Sequence, residues 1–123
     1  YMKVVAPEGE PCVLAGQESY DAFMSLQEGA PNWRNGVTIE SLEAIREFDP
    51  VRYIDHVAPA ALLLVAAEHD SLIPMSLVTD AFARARDPKA LVALPCRHFD
   101  VYETEPWFSR AAGAAVDWFT KHL

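Results

Sequence analysis

Positive charge is scarce in this chain: ten Lys and Arg stand against eighteen Asp and Glu, a net charge of −8. Phosphate backbones and anionic lipid surfaces repel such a balance, so neither nucleic acid nor a membrane is expected as a partner. Long apolar runs are also missing. The longest, residues 57–67, contains Pro59 and falls well short of the roughly 20 residues that cross a bilayer. The opening stretch, Tyr1-Met2-Lys3-Val4-Val5, lacks the apolar segment of a secretory signal. Only two cysteines occur, Cys12 and Cys96, far apart and in no paired metal-ligand spacing. Two lone thiols fit a reducing compartment, and the predicted location is cytoplasmic. There are five isolated glycines, with no internal repeat and no low-complexity tract. The first residue is Tyr rather than Met, which predicts a segment of a longer protein. Against these absences stands an apolar content of 51% in 123 residues. That excludes a disordered tail and suffices for a single domain with a core over 1–123.

Periodicity divides the chain. Met2–Ala6 and Cys12–Leu14 are β-prone runs around Pro7-Glu8-Gly9-Glu10-Pro11, predicting a hairpin or a sharp turn. Helical spacing follows from Ser19, an expected N-cap, to Glu28, with Gly29 as a stop. Thr38 or Ser41 opens a second helix, with Leu42, Ile45 and Phe48 on one face, ending before Pro50. Ala60–Ala67 is apolar on both faces, as a strand inside a parallel sheet would be. Pro74 begins a helix carrying Leu77, Val78, Ala81, Phe82 and Ala85 on one stripe, stopping before Pro88. Ala90–Pro95 reads as a second buried strand. A final helix fills 105–123, with Phe108, Ala111, Ala112, Ala115, Val116 and Phe119 in helical register.

The second half is therefore strand, helix, strand, helix. Strands joined through a helix run parallel, with a right-handed crossover, and end at the same edge of the sheet. Neighbouring strands lie ~4.8 Å apart. Loops leaving both ends thus bring Asp70, after the first strand, within reach of His98, after the second. An acid beside a histidine fixes its tautomer and stabilises the imidazolium formed when it takes a proton.

The two segments that carry these residues are Ala67-Glu68-His69-Asp70-Ser71-Leu72-Ile73-Pro74 and Leu94-Pro95-Cys96-Arg97-His98-Phe99-Asp100. Strand, loop to Asp, Pro-started helix, strand and His together resemble the C-terminal third of the α/β-hydrolase superfamily. Within it, the chain is similar to the dienelactone-hydrolase-like and X-Pro-dipeptidyl-peptidase-like branch. The resemblance covers residues 57–123. It implies an α/β fold, with parallel strands and flanking helices, and a Ser–Asp–His order along the whole protein. Asp70 would be the triad acid and His98 the base, with a small ester-like substrate and no cofactor. By the same analogy residues 1–56 form a hairpin and a helical flank or lid, and Gly16–Phe48, including Trp33, shape a pocket.

The chain departs from that pattern in two places. No Gly-x-Ser-x-Gly nucleophile elbow is present, and Cys96-Arg97 stands where Gly commonly precedes the histidine. The implied activity is thus hydrolysis of an ester or related acyl bond, with the serine supplied from elsewhere. The alternative is a non-catalytic, self-associating α/β module. Exposed strand edges predict association in either case, as a homodimer or with a missing N-terminal half.

Plainer roles compete for each residue. Asp70 is also placed to cap backbone donors ahead of Pro74, and His98 to serve as a structural histidine. Asp100 is a rival partner for His98. Glu68-His69-Asp70 and His98-x-Asp100 contain metal-ligand types without a third or fourth ligand at a telling spacing. Cys96 reads as packing material rather than a nucleophile. Ser19, Ser25 and Ser41 suit helix starts, Ser76 and Ser109 helix positions, and Ser71 lacks an elbow.

Overall fold

Two short runs rich in Leu, Val and Ala supply the only strand ladder. In a computed structural model, which describes residues 1–123, they form β1 (Leu62–Ala67) and β2 (Lys89–Leu94). The strands pair in parallel, from Leu62 opposite Lys89 to Ala67 opposite Leu94. The chain divides into two compact units, residues 1–49 and 50–123.

The second unit is built around this pair. Helix α3 (Met75–Arg84) makes the crossover and starts directly after Pro74. It buries Ala81 and Ala85 against Ile54, with Leu62 packed alongside. Ile54 comes from a 3₁₀ helix, Pro50–His56, that periodicity did not disclose. Because this segment packs on α3, the second unit begins at Pro50. The carbonyls left open at the end of α3 are met by Lys89, whose Nζ donates to Phe82 O at 2.6 Å and Ala85 O at 2.7 Å. The same ammonium lies 4.5 Å from the centre of the Phe82 ring. Short helix α4 (Asp100–Glu103) and long helix α5 (Trp107–His122) complete the unit. Ala67, Leu94 and Cys96 form a second core cluster, with Val92, Val101, Trp107 and Ala111 packed against it.

The strands are less buried than their composition predicts. Along β1 only Ala66 and Ala67 are fully inside, and Val65 is exposed. A two-stranded sheet has an open edge on each side, and its faces outrun what α3 and α5 cover. For the same reason α5 buries no residue completely, and Val116, in register with the apolar stripe, is 62% exposed. Leu77 likewise faces outward from α3. No helix is long and apolar enough to cross a membrane.

In the first unit the predicted hairpin is a turn without regular strands. Two backbone bonds link its arms, Val13 N to Lys3 O at 3.0 Å and Leu14 N to Val4 O at 2.8 Å. Pro7 and Pro11 lack the N–H a longer ladder needs, and the amides of Val4 and Val5 are met by a side chain. Asn35 Oδ1 accepts from Val4 N at 2.9 Å and Val5 N at 3.0 Å, and its Nδ2 donates to Val5 O at 2.8 Å. Met2 forms one antiparallel bridge to Val37. Helix α1 spans Gln17–Gln27 and begins two residues before the expected cap. Gly16, at φ 104°, turns the chain into it, while Ser19 lies buried in its first turn. Helix α2 (Ile39–Glu47) is capped by Thr38, whose side chain accepts from Ser41 N. Phe48 ends this helix and is exposed.

Candidate active site

Each strand runs past its last ladder residue into a loop held by backbone hydrogen bonds. Glu68 N donates to Leu94 O at 2.8 Å and His69 N to Cys96 O at 3.0 Å, so the pairing of the chains continues beyond the strands. This keeps the two loops side by side, with Asp70 on one and His98 on the other. Asp70 Oδ2 lies 2.8 Å from His98 Nδ1.

The Asp70 carboxylate divides its work between its two oxygens. Oδ1 accepts from Leu72 N and Ile73 N, both at 2.8 Å, which winds the loop tightly after β1. Oδ2 is left for the histidine. Backbone support and imidazole contact are therefore simultaneous roles of one side chain. The capping is of the loop rather than of α3, which has no side-chain cap. Since a carboxylate only accepts, Nδ1 carries the proton and Nε2 keeps its lone pair in the neutral ring. The acid side chain is 8% exposed and the imidazole 20% exposed, which shields the pair while leaving the histidine accessible.

Burial alone would push the Asp70 carboxyl up, but the Ile73 amide, His98 and the Leu72 amide together hold it below the ordinary range. The folded carboxyl thus binds its proton less tightly than the unfolded one. Its stabilisation is complete above the unfolded value of about 3.9 and is lost as pH falls through the lower folded value. Asp70→Asn is expected to flatten the acid limb of stability in that window, measured as denaturation midpoints against pH. Identical pH profiles for the two proteins would contradict this.

The rival acid is occupied elsewhere. Asp100 Oδ2 accepts from Arg97 N at 2.8 Å, and its Oδ1 lies 3.6 Å from the Arg97 guanidinium, so this carboxylate ties down the start of α4. Cys96 is buried in the second core cluster, and burial together with the nearby Asp100 charge raises its thiol pKa. That disfavours the thiolate a nucleophile needs. No three His, Cys, Asp or Glu side chains are grouped to hold a metal ion. Neither strand turns sharply through a serine into a helix: β1 runs into Glu68-His69-Asp70 and β2 into Pro95-Cys96-Arg97-His98.

Beside the pair is a cavity of about 170 Å³, lined by Asp70, His98, Ile73, Val78, Val101, Tyr102 and the C-terminal half of β1. Val101 and Tyr102 belong to α4, which is too short for periodicity to mark. The available signal was the aromatic pair Phe99 and Tyr102 close behind His98. Trp33 packs on Phe23 with ring centres 5.9 Å apart, beside a cavity of about 130 Å³ in the first unit.

Neither a family model nor a curated protein sequence matches the chain. Among solved structures, it is similar to the crystal structure of the alpha/beta hydrolase GrgF from Penicillium sp. sh18, with a TM-score of 0.76 and 16% identity. The similarity covers 98% of this chain and 41% of that one. The parallel pair with its flanking helices is thus a partial α/β-hydrolase fold.

Proposed function

We propose that this chain is the C-terminal, acid-and-base-bearing part of a serine hydrolase acting on esters or related acyl bonds. Its branch would be the dienelactone-hydrolase-like or X-Pro-dipeptidyl-peptidase-like one. The observation that carries the reading is the 2.8 Å contact between Asp70 Oδ2 and His98 Nδ1 beyond the carboxyl ends of adjacent parallel strands. Ligands of open α/β sheets bind at that edge.

In the proposed reaction His98 Nε2 takes the proton of a serine hydroxyl as its oxygen bonds to the acyl carbon. Asp70 stabilises the resulting imidazolium. Collapse of the tetrahedral intermediate breaks the bond to the leaving alcohol, which receives the proton from Nε2. Water, deprotonated by the same nitrogen, then releases the acid and restores the serine. The serine and the oxyanion donors come from the rest of the protein. A chain spanning 41% of a hydrolase neighbour is in keeping with this division. The exposed Val65, Phe108, Val116 and Phe119 would be covered by that remainder.

An antibody against this chain, combined with a fluorophosphonate probe, tests the proposal in source-cell extract. The expected product has roughly 200–250 residues or more, a common length for one α/β domain, and carries the probe. A product of this chain's own size that stays unlabelled would overturn the reading. The isolated chain is expected to hydrolyse p-nitrophenyl acetate no faster than its His98→Ala variant. A clear difference would place a nucleophile within these residues and refute the proposed division.

The open strand edges and the uncovered face of α5 favour one second reading, a self-associating module without catalysis. Under it, a homodimer covers those surfaces, and changes at Asp70 or His98 cost stability only.

A further inference from the structure

One hydrogen bond holds the His98 imidazole to Asp70. Rotation about the Cβ–Cγ bond would break it, releasing the tautomer that Asp70 fixes and turning Nε2 away from any reacting atom. Two other rings approach the imidazole. Phe99 meets it with centres 4.7 Å apart and planes at 76°, and Tyr102 at 6.0 Å and 61°. The two also meet each other, at 6.2 Å and 48°, so the three rings form a closed triangle.

The triangle stands on a braced support. Asp100 accepts from Arg97 N, Tyr102 N donates to Phe99 O at 3.1 Å, and Thr104 N donates to Asp100 O at 3.0 Å. The short helix that carries Tyr102 is thereby tied to the segment that carries His98. Tyr102 also lines the cavity beside the pair. Truncating it would enlarge the space into which the imidazole can turn.

We propose that Tyr102 is a positioning residue, whose ring, together with Phe99, holds the His98 imidazole in the orientation set by Asp70. The inference rests on the acid–base reading of that pair and adds a residue to it. The mechanism is edge-on packing, which is attractive for the neutral ring and stronger for an imidazolium near an aromatic face. The ring does this and the hydroxyl is dispensable.

The test is nitrogen-15 NMR of His98 in the chain at one fixed pH, reading the proportions of the two tautomers. Tyr102→Ala is expected to raise the minor tautomer by about threefold to tenfold, the range an aromatic pair of this kind supports. Tyr102→Phe should leave the proportions as they are. Tyr102→Leu, which keeps bulk without a ring, should follow the alanine variant and replaces it if that variant does not fold. Unchanged proportions in a folded Ala or Leu variant would overturn the proposal, as would a Phe variant that behaves like them. Asp70→Asn separates this failure from failure of the pair itself. If that change also leaves the His98 tautomers unmoved, the acid–base reading falls; if it shifts them while Tyr102 variants do not, only the positioning role falls.

Discussion

In the whole enzyme proposed above, Asp70→Asn is expected to lower kcat on the order of 10⁴-fold, and His98→Ala on the order of 10⁶-fold. The asparagine result follows from the hydrogen bonds of the loop. Leu72 N and Ile73 N both point at the Oδ1 position. Both are donors, so the asparagine carbonyl must occupy that site and its NH₂ must take the place of Oδ2. An N–H then faces His98 Nδ1, which can answer only with its lone pair. The ring proton is driven to Nε2, and the nitrogen that should accept the serine proton is already protonated. The shape of the loop survives while the base is lost. Steady-state kinetics with circular dichroism on each variant checks this. A folded asparagine variant retaining more than about a tenth of wild-type kcat would contradict the assignment, since a tautomer switch costs far more. Stability loss without a change in rate would point instead to the non-catalytic module.

Leu94→Ala is expected to destabilise the second unit by about 2–5 kcal/mol. Leu94 is 1% exposed at the last position of β2 and packs with Ala67 and Cys96. Truncation would leave a cavity between the strand ends and the N-terminal turn of α5. Against a typical total of about 5–15 kcal/mol, that is enough to unfold a fair share of the molecules at ordinary temperature. The consequence reaches the site, because Leu94 O accepts from both Glu68 N and Cys96 N at 2.8 Å. Those bonds start the two loops on their way to Asp70 and His98. Leu77→Ala is the control: at 59% exposure it should change stability by no more than about 0.5 kcal/mol. Urea denaturation of the two variants gives the comparison. Equal losses would mean that the core does not lie at the strand ends.

The exposed strand faces give the proposed division of the protein a physical basis. Apolar strands of this kind are ordinarily covered on both faces. Here Val65 in β1 and Val116 in α5 remain open to solvent. The more extensive sheet of the proposed whole protein would cover them.

Much of this arrangement was legible along the chain. Apolar runs of strand length, Pro74 before a helical stripe, and a right-handed crossover compel two parallel strands with Asp70 and His98 at one edge. That deduction needs only the period of side chains and the spacing of strands, both local properties. Other outcomes depended on which groups meet in space. Asp100 is two residues from His98 and Asp70 twenty-eight, yet the distant acid is the partner. Arg97 captures Asp100 from the neighbouring backbone, while the paired strands carry Asp70 to the imidazole. The aromatic bracket of Phe99 and Tyr102 likewise required the fold of α4, four residues too short to leave a periodic trace. Burial departs from the composition for the same reason. Hydrophobicity records what a residue would bury if covered, whereas the number of neighbouring layers decides whether it is.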